Sequence, residues 1–397
     1  MLRTNLHRVL ALGLSILIIT ALAGCGGGQA TQPTDTGEKP AEAETFKVGL
    51  GASFTGDYAV YGHYHYNAAK LAADEINAAG GVLGRKIELV KGDDKADPKE
   101  AASVAQKFVA DKDVVAVLGH IFSSTSLAAG PIYQQGGLSS IVVLASNPKV
   151  PLVGDYIFRI NVHDGIAGSQ TAEYVVKSMG KKRIGILVDN TDYCIGFKDA
   201  FVAKAEELGG SITDVEFYMG QQDKDFSVVL RKLQEKNPEV VLLSSYHTEG
   251  ALITQQVRQM GWDVQLVAPD ACATPDYLEL AGAAAEGAVL TTYFHRDVPD
   301  PKAQALVKTY EETFNEETFV SVPYTYDAMY VLIAAIERAG SFDRAAIRDE
   351  IAKTKDFPGV TGSITFDEDG DRPVGWNIVL DVKNGEFVIR DMIMGTE

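Results

Sequence analysis

Cysteine is scarce, with three in 397 residues, at positions 25, 194 and 272. That excludes a disulfide-stapled scaffold, which needs several pairs in a short chain. Histidine is nearly as rare, and no Cys, His and Asp cluster stands at metal-ligand spacing. His63 and His65 in GHYHYN stand alone and read as solvated loop residues. Asp93-Asp94 and Asp367 to Asp371 read as acidic turns, not as a calcium loop. Neither a metal nor any other cofactor is expected. Basic residues are also short, 36 against 54 acidic ones, for a net charge of −18. Such a balance excludes a nucleic-acid surface. Catalytic signatures are missing too. GLGASFTG spaces its glycines wrongly for a dinucleotide loop, and no GxSxG elbow occurs. An enzyme is not expected.

Long apolar runs are missing except for one. The N-terminus reads MLRTNLHR, then VLALGLSILIITALA, then LAGC ending at Cys25. A basic start, an apolar run and small residues before a break point form an export leader. The LAGC end looks like a bacterial lipobox, which implies cleavage before Cys25 and lipid on its thiol. The expected location is therefore extracytoplasmic, on a lipid anchor at the cell membrane. Loss of residues 1–24 removes Arg3 and Arg8 and makes the body more acidic still. Residues 26–45 are rich in Gly, Thr, Pro and Glu and read as a flexible tether. Export permits a disulfide between Cys194 and Cys272, but the sequence leaves open whether they pair.

The body alternates apolar strand signals with helical ones. FKVGLGASF, KIELVKGDD, VVAVLG and SSIVVLAS read as strands, separated by helices such as YNAAKLAADEINAAGG and SSTSLAAGPIYQQGG. A second block follows, in which KRIGILVDN, DVEFYMG, EVVLLSSY and VQLVAPD are the strands. Helical patterns return at AQALVKTYEETFN and TYDAMYVLIAAIERAG. The segment from GSITF to EFVI alternates apolar and polar residues around turns, as antiparallel strands do. The fold class is α/β, with two doubly wound parallel-sheet lobes joined by a hinge. The expected lobes are 46–163 with 293–375, and 164–292 with 376–397.

Ligands in such sheets bind beyond the carboxyl ends of the strands, near helix N-termini. The loops found there carry suitable groups. GHIFSSTS supplies Ser123 and its hydroxyl neighbours, VVLASNP supplies Ser146, and VAPDAC supplies Asp270. SSYHTEG and DNTDYCIG supply Tyr246 and Tyr193. Hydroxyls and helix N–H groups suit a carboxylate, and a lone carboxylate suits an ammonium. Facing each other, they would hold both ends of an amino acid. Each residue also has a plain structural reading. Ser123 and Asp270 could be caps, Ser146 a turn residue, and the tyrosines half-buried packing.

The chain resembles bacterial branched-chain amino acid binding proteins of the type I periplasmic fold, which serve ABC importers. Carrying the resemblance are ASFTGDYAVYG (52–62), GHIFSSTS (119–126), IYQQGG (132–137), ASNP (145–148), KDFSVVLRKL (224–233) and SSYHTEG (244–250), in that order. It implies that Ser123 binds the ligand carboxylate and that Ser146 touches both charged ends. It implies that the Leu144 carbonyl and Asp270 take the ammonium, and that Tyr61, Tyr193 and Tyr246 line the pocket. Phe122 adds bulk there. Ser146 stands where relatives often have Thr, and Asp270 where they often have Glu. Ala96 and Phe122 stand where the best-known members form a disulfide. The expected ligand is an aliphatic or branched L-amino acid, and the expected partner an ABC permease, with the receptor a monomer. The alternatives are a short amide, urea or aromatic acid as ligand, or a sensor role for the same clamshell.

Overall fold

The structure, a computed structural model, describes residues 44–394. The expected leader, Cys25 and the tether up to residue 43 lie outside the described residues, as do residues 395–397. Strands β1 (Thr45–Ala52), β2 (Lys86–Asp93), β3 (Val114–Gly119), β4 (Ser139–Val142) and β5 (Ile157–Arg159) form one sheet. Their order is β2-β1-β3-β4-β5 and all pair in parallel. Helices α1 (Ala59–Ala78), α2 (Pro98–Ala110) and α3 (Ser123–Gly136) are the crossovers. β3 is VVAVLG and every residue in it is buried, as a parallel strand covered on both faces requires. α2 starts where Asp97 accepts from the Lys99 and Glu100 N–H groups, with Pro98 in the first turn.

The second sheet holds β6 (Arg183–Asp189), β7 (Ser211–Tyr218), β8 (Val240–Ser244), β9 (Gln265–Ala268) and β10 (Val289–Thr292) in parallel. Around them lie α4 (Asp164–Glu173), α5 (Asp192–Glu207), α6 (Ser227–Glu235), α7 (His247–Gln259) and α8 (Pro275–Ala281). The chain then returns through α9 (Pro301–Phe314), α10 (Ser321–Ala339) and α11 (Arg344–Ala352), and α10 packs on α1. A two-stranded ribbon follows, β11 (Phe357–Gly359) and β12 (Gly362–Ile364). Last come β13 (Trp376–Lys383) and β14 (Glu386–Met394), antiparallel to each other. β13 also lies antiparallel to β10, so the second sheet reads β14-β13-β10-β9-β8-β6-β7. This is a two-lobed α/β clamshell. The chain passes between the lobes after β5, after β10 and between β12 and β13.

Some expectations need correction. α1 begins at Ala59, well before the expected YNAAKLAADEINAAGG, so Tyr61 sits on a helix and not in a loop. His65 is therefore no solvated loop residue. It is fully buried, bonded to Thr325 Oγ1 at 2.8 Å and to the Leu118 carbonyl at 3.1 Å. Only His63 is exposed, beside Glu316. GSITF leaves the expected antiparallel block and pairs in the ribbon. Cys194 and Cys272 are buried free thiols.

Two buried polar clusters brace the first lobe, and one of them reaches a crossing. His120, on the loop after β3, sets Nδ1 2.6 Å from Asp94 Oδ2 and Nε2 3.0 Å from the Tyr133 hydroxyl. Its ring leaves no room for a Cβ on Gly51, which would come within 2.9 Å. Arg159 is fully buried and donates Nε to Asp371 Oδ1 at 2.8 Å and Nη1 to the Asn147 carbonyl at 2.7 Å. It thus ties the segment between β12 and β13 to the loop that carries Ser146. Removing one member of a buried ion pair typically costs about 3–5 kcal/mol. Arg159→Met should lower stability by roughly that amount, read from a denaturant midpoint. An unchanged midpoint would show that the crossing is held by packing alone.

Candidate functional site

The carboxyl ends of β1, β3 and β4 face those of β6, β8 and β9 across the cleft. A small chamber lies between them, lined by Tyr61, Phe122, Ser123, Leu144, Tyr193, Tyr246 and Asp270, with Phe319 and Val320 added from the start of α10. Every residue named from the sequence except Ser146 and Cys25 is on its wall. Ser146 lies just behind it, and Cys25 lies outside the described residues.

Ser123 is the first residue of α3, and Phe122 holds the cap position without a side-chain cap bond. The hydroxyl cluster is therefore not a helix cap, because the helix begins one residue too early. Thr125 donates instead to the Phe122 carbonyl and Ser126 to the His120 carbonyl. Ser123 Oγ accepts from the Asn147 N–H at 3.2 Å, which leaves its own proton to donate. The start of α3 adds unpaired N–H groups and the positive end of the helix dipole.

Asp270 opens the turn after β9 and is 7% exposed. Burial pushes its carboxyl up to about 6, against the Tyr193 hydroxyl, which donates to Oδ1 at 2.7 Å. It caps no helix; Thr274 caps α8 instead. Leu144 offers its carbonyl, which already accepts from Asn161 Nδ2 at 3.0 Å and keeps a second lone pair. Ser146 Oγ is fully buried and without a partner. The Tyr293 hydroxyl neighbours both Ser146 and Asp270 but forms no well-made bond to either.

Aromatic rings make most of the wall. Phe122 meets Tyr246 and Tyr61, each at 5.2 Å between centroids, edge to face. Tyr193 lies 5.4 Å from Tyr246. Tyr61 also spans the lobes. Its hydroxyl donates to the Ala271 carbonyl at 2.8 Å, so toward His247 Nδ1, 3.1 Å away, it can only accept. Tyr58 crosses as well, donating to Glu249 Oε2 at 3.1 Å.

Asp164 escaped the sequence reading. It begins α4 directly after the first crossing, and its N–H donates to the Ser146 carbonyl at 2.8 Å. The side chain is fully buried and both oxygens lack a partner. Burial pushes it up to about 8, with the charge of Asp270 adding and Ser146 opposing. The sequence analysis placed no helix start at Asp164. An Asp before a helix is also indistinguishable from a cap in sequence. Tyr58, Phe319 and Tyr293 were missed as well.

The wall therefore offers hydroxyl and N–H donors from one lobe and an uncompensated carboxylate from the other. Among the described residues, no group of His, Cys, Asp and Glu could hold a metal ion. The periplasmic binding protein family matches residues 45–386. The leucine-, isoleucine-, valine-, threonine- and alanine-binding protein of Pseudomonas aeruginosa is 32% identical over 330 residues, 83% of this chain and 87% of that one. The leucine binding protein of Thermotoga maritima superposes with a TM-score of 0.83 at 33% identity, over 88% of this chain and 99% of that one. A branched-chain amino acid transporter substrate binding protein of Streptococcus pneumoniae, solved with isoleucine, gives 0.82 at 30% identity, over 89% and 99%. This chain belongs to the periplasmic binding protein family, and it is a solute-binding protein.

Proposed function

We propose that the protein is the extracytoplasmic receptor of an ABC importer and that it binds an aliphatic L-amino acid between its lobes. The observation that carries this reading is Asp270. It is a buried carboxylate on the chamber wall with no cationic side chain beside it, facing Ser123 and the start of α3. A ligand with an ammonium and a carboxylate satisfies both sides at once. Ser123, Ser146 and the α3 N–H groups hold the carboxylate. Asp270, the Leu144 carbonyl and Ser146 hold the ammonium. Tyr61, Phe122, Tyr193 and Tyr246 enclose the side chain. Asp is one methylene shorter than the Glu common in relatives, so the ammonium is drawn inward or met through a water. The names of the relatives support the amino-acid class.

Contacts to both lobes make affinity greatest in the closed state, so binding shifts the hinge equilibrium toward closure. The moving bodies are 46–163 with 293–375, and 164–292 with 376–397. Closed receptor then docks on the permease. Lipid on Cys25 keeps a monomeric receptor near it.

Calorimetric titration of refolded protein with L-amino acids tests the reading, with amides and aromatic acids as controls. Micromolar or tighter binding of leucine, isoleucine or valine is expected. A signal only from an acid or amide would overturn it. Asp270→Ala and the isosteric Asp270→Asn should both abolish measurable amino-acid binding while the thermal midpoint shows a folded protein. Retained affinity in Asp270→Asn would remove the carboxylate from the site. Ser123→Ala should weaken binding by about 1–3 kcal/mol, and no change would leave this serine a structural role only.

Asp164 gives a pH dependence to the unliganded protein. Its ordinary value is 3.8 and its folded value about 8. Below the lower value both states hold the proton. Between the two values the unfolded chain releases it while the folded chain keeps it, so stability falls as pH rises toward 8. Denaturant titrations between pH 4 and 8 should show that decline, and Asp164→Asn should flatten its upper part, from pH 6 to 8, above the values near 6 of Asp189 and Asp270. An equally steep decline in the variant would trace it to another group.

A further inference from the structure

A second, larger chamber lies in front of the first, between the same lobes. Phe122 and Tyr246 line both and form the partition. On the outer side Tyr58 joins them, 5.4 Å from Phe122 and 5.2 Å from Tyr246 between centroids. Asp189 at the end of β6 and Asp192 at the start of α5 line the same chamber.

Asp189 distinguishes this chamber from a solvent-filled cleft mouth. It is 1% exposed. Oδ1 accepts from the Gly220 N–H at 3.0 Å, but Oδ2 has no partner. Gly220 also lines the chamber, and a Cβ there would stand 2.2 Å from Oδ2. Only glycine leaves that oxygen its space. The neighbouring Glu249 is already satisfied by Tyr58, by the Gln221 N–H and by Lys224 Nζ at 3.4 Å. No Lys or Arg pairs with Asp189 among the described residues, and burial pushes its carboxyl up to about 6, with the charge of Glu249 adding. A buried carboxylate oxygen with no donor is costly, and a cation removes that cost. The rings of Tyr58, Phe122 and Tyr246 line the same chamber, and aromatic rings attract cations, best when water is excluded. His, Cys, Asp and Glu do not converge here as a metal requires, so the cation is organic.

We propose that this outer chamber is a second binding site, which takes an organic ammonium or guanidinium group between Asp189 and the rings of Tyr58, Phe122 and Tyr246. That group has two possible sources, the side chain of an amino acid seated in the inner chamber or a separate small amine. The inference goes beyond the amino-acid reading and does not require leucine to bind.

The test is calorimetric titration of the purified protein with L-leucine, L-lysine, L-arginine and agmatine, the last with and without saturating leucine. Measurable binding of a cationic titrant is expected, weakened at least tenfold in Asp189→Asn, with leucine affinity unchanged. The Asn keeps the acceptor for Gly220. Gly220→Ala, which fills the space beside Oδ2, should weaken the same titrants. Agmatine binding to leucine-saturated protein assigns a separate amine, and lysine or arginine binding without agmatine binding assigns the side chain. Either result supports the site. Silence from every cationic titrant, or equal affinity in Asp189→Asn, overturns it. Loss of leucine binding with agmatine binding intact would sink the inner-chamber reading and leave the outer site standing.

Discussion

Asp270 sets the constraint on which the cleft depends. A carboxylate inside a box of rings gains one hydrogen bond from Tyr193 and no counter-charge from the protein. Lining the box with a lysine or arginine would remove that penalty and with it the reason to bind a cation. On the proposed reading the protein keeps the penalty and sets hydroxyl and N–H donors in the other lobe, so that a guest carrying both charges engages both lobes. Closure and recognition would then be one event. The direct bridges from Tyr61 to Ala271 and from Tyr58 to Glu249 are neutral-to-carbonyl and phenol-to-carboxylate bonds. The first kind contributes about 1 kcal/mol and the second about 1.5–3 kcal/mol, so both favour the arrangement in which the lobes meet.

The loops that present the donors are short, and short loops keep position only when braced. Here the braces are buried and polar. His120 is locked at both ring nitrogens by Asp94 and Tyr133, directly before the segment that ends in Ser123. Arg159 holds the Asn147 carbonyl, next to Ser146, while its other nitrogens hold Asp371. Asn147 in turn donates its N–H to Ser123. The two serines of the first lobe are thereby linked through one asparagine to a guanidinium that also pins a crossing. A buried network of this kind gains little net stability but specifies one arrangement, provided every member is satisfied.

Much of this was legible in sequence because apolar periodicity and turn chemistry report on burial. The parallel strands are unbroken apolar runs, and Ser123, Asp270, Tyr193 and Tyr246 follow such runs directly. Position after a strand end is a strong topological cue. The failures share one cause. His65 and Asp164 are polar residues buried by partners distant in sequence, Thr325 for the first and the packed crossing for the second. Local pattern reads a polar residue near a turn as solvated. The hydroxyl cluster left two readings open, cap or anion site, and the cap reading fails because Phe122, not Ser123, holds the cap place. The first turns of α1 were read as loop because Gly56 and the tyrosines around it carry no apolar stripe.

The same ring therefore has two duties. Phe122 and Tyr246 close the inner chamber from the front and form the back of the outer one. A carboxylate lies behind them at Asp270 and another before them at Asp189, each buried and neither paired with a cationic side chain of the protein. The rings that close one chamber are thereby the floor of the other, and each carboxylate lies on the wall of its own chamber.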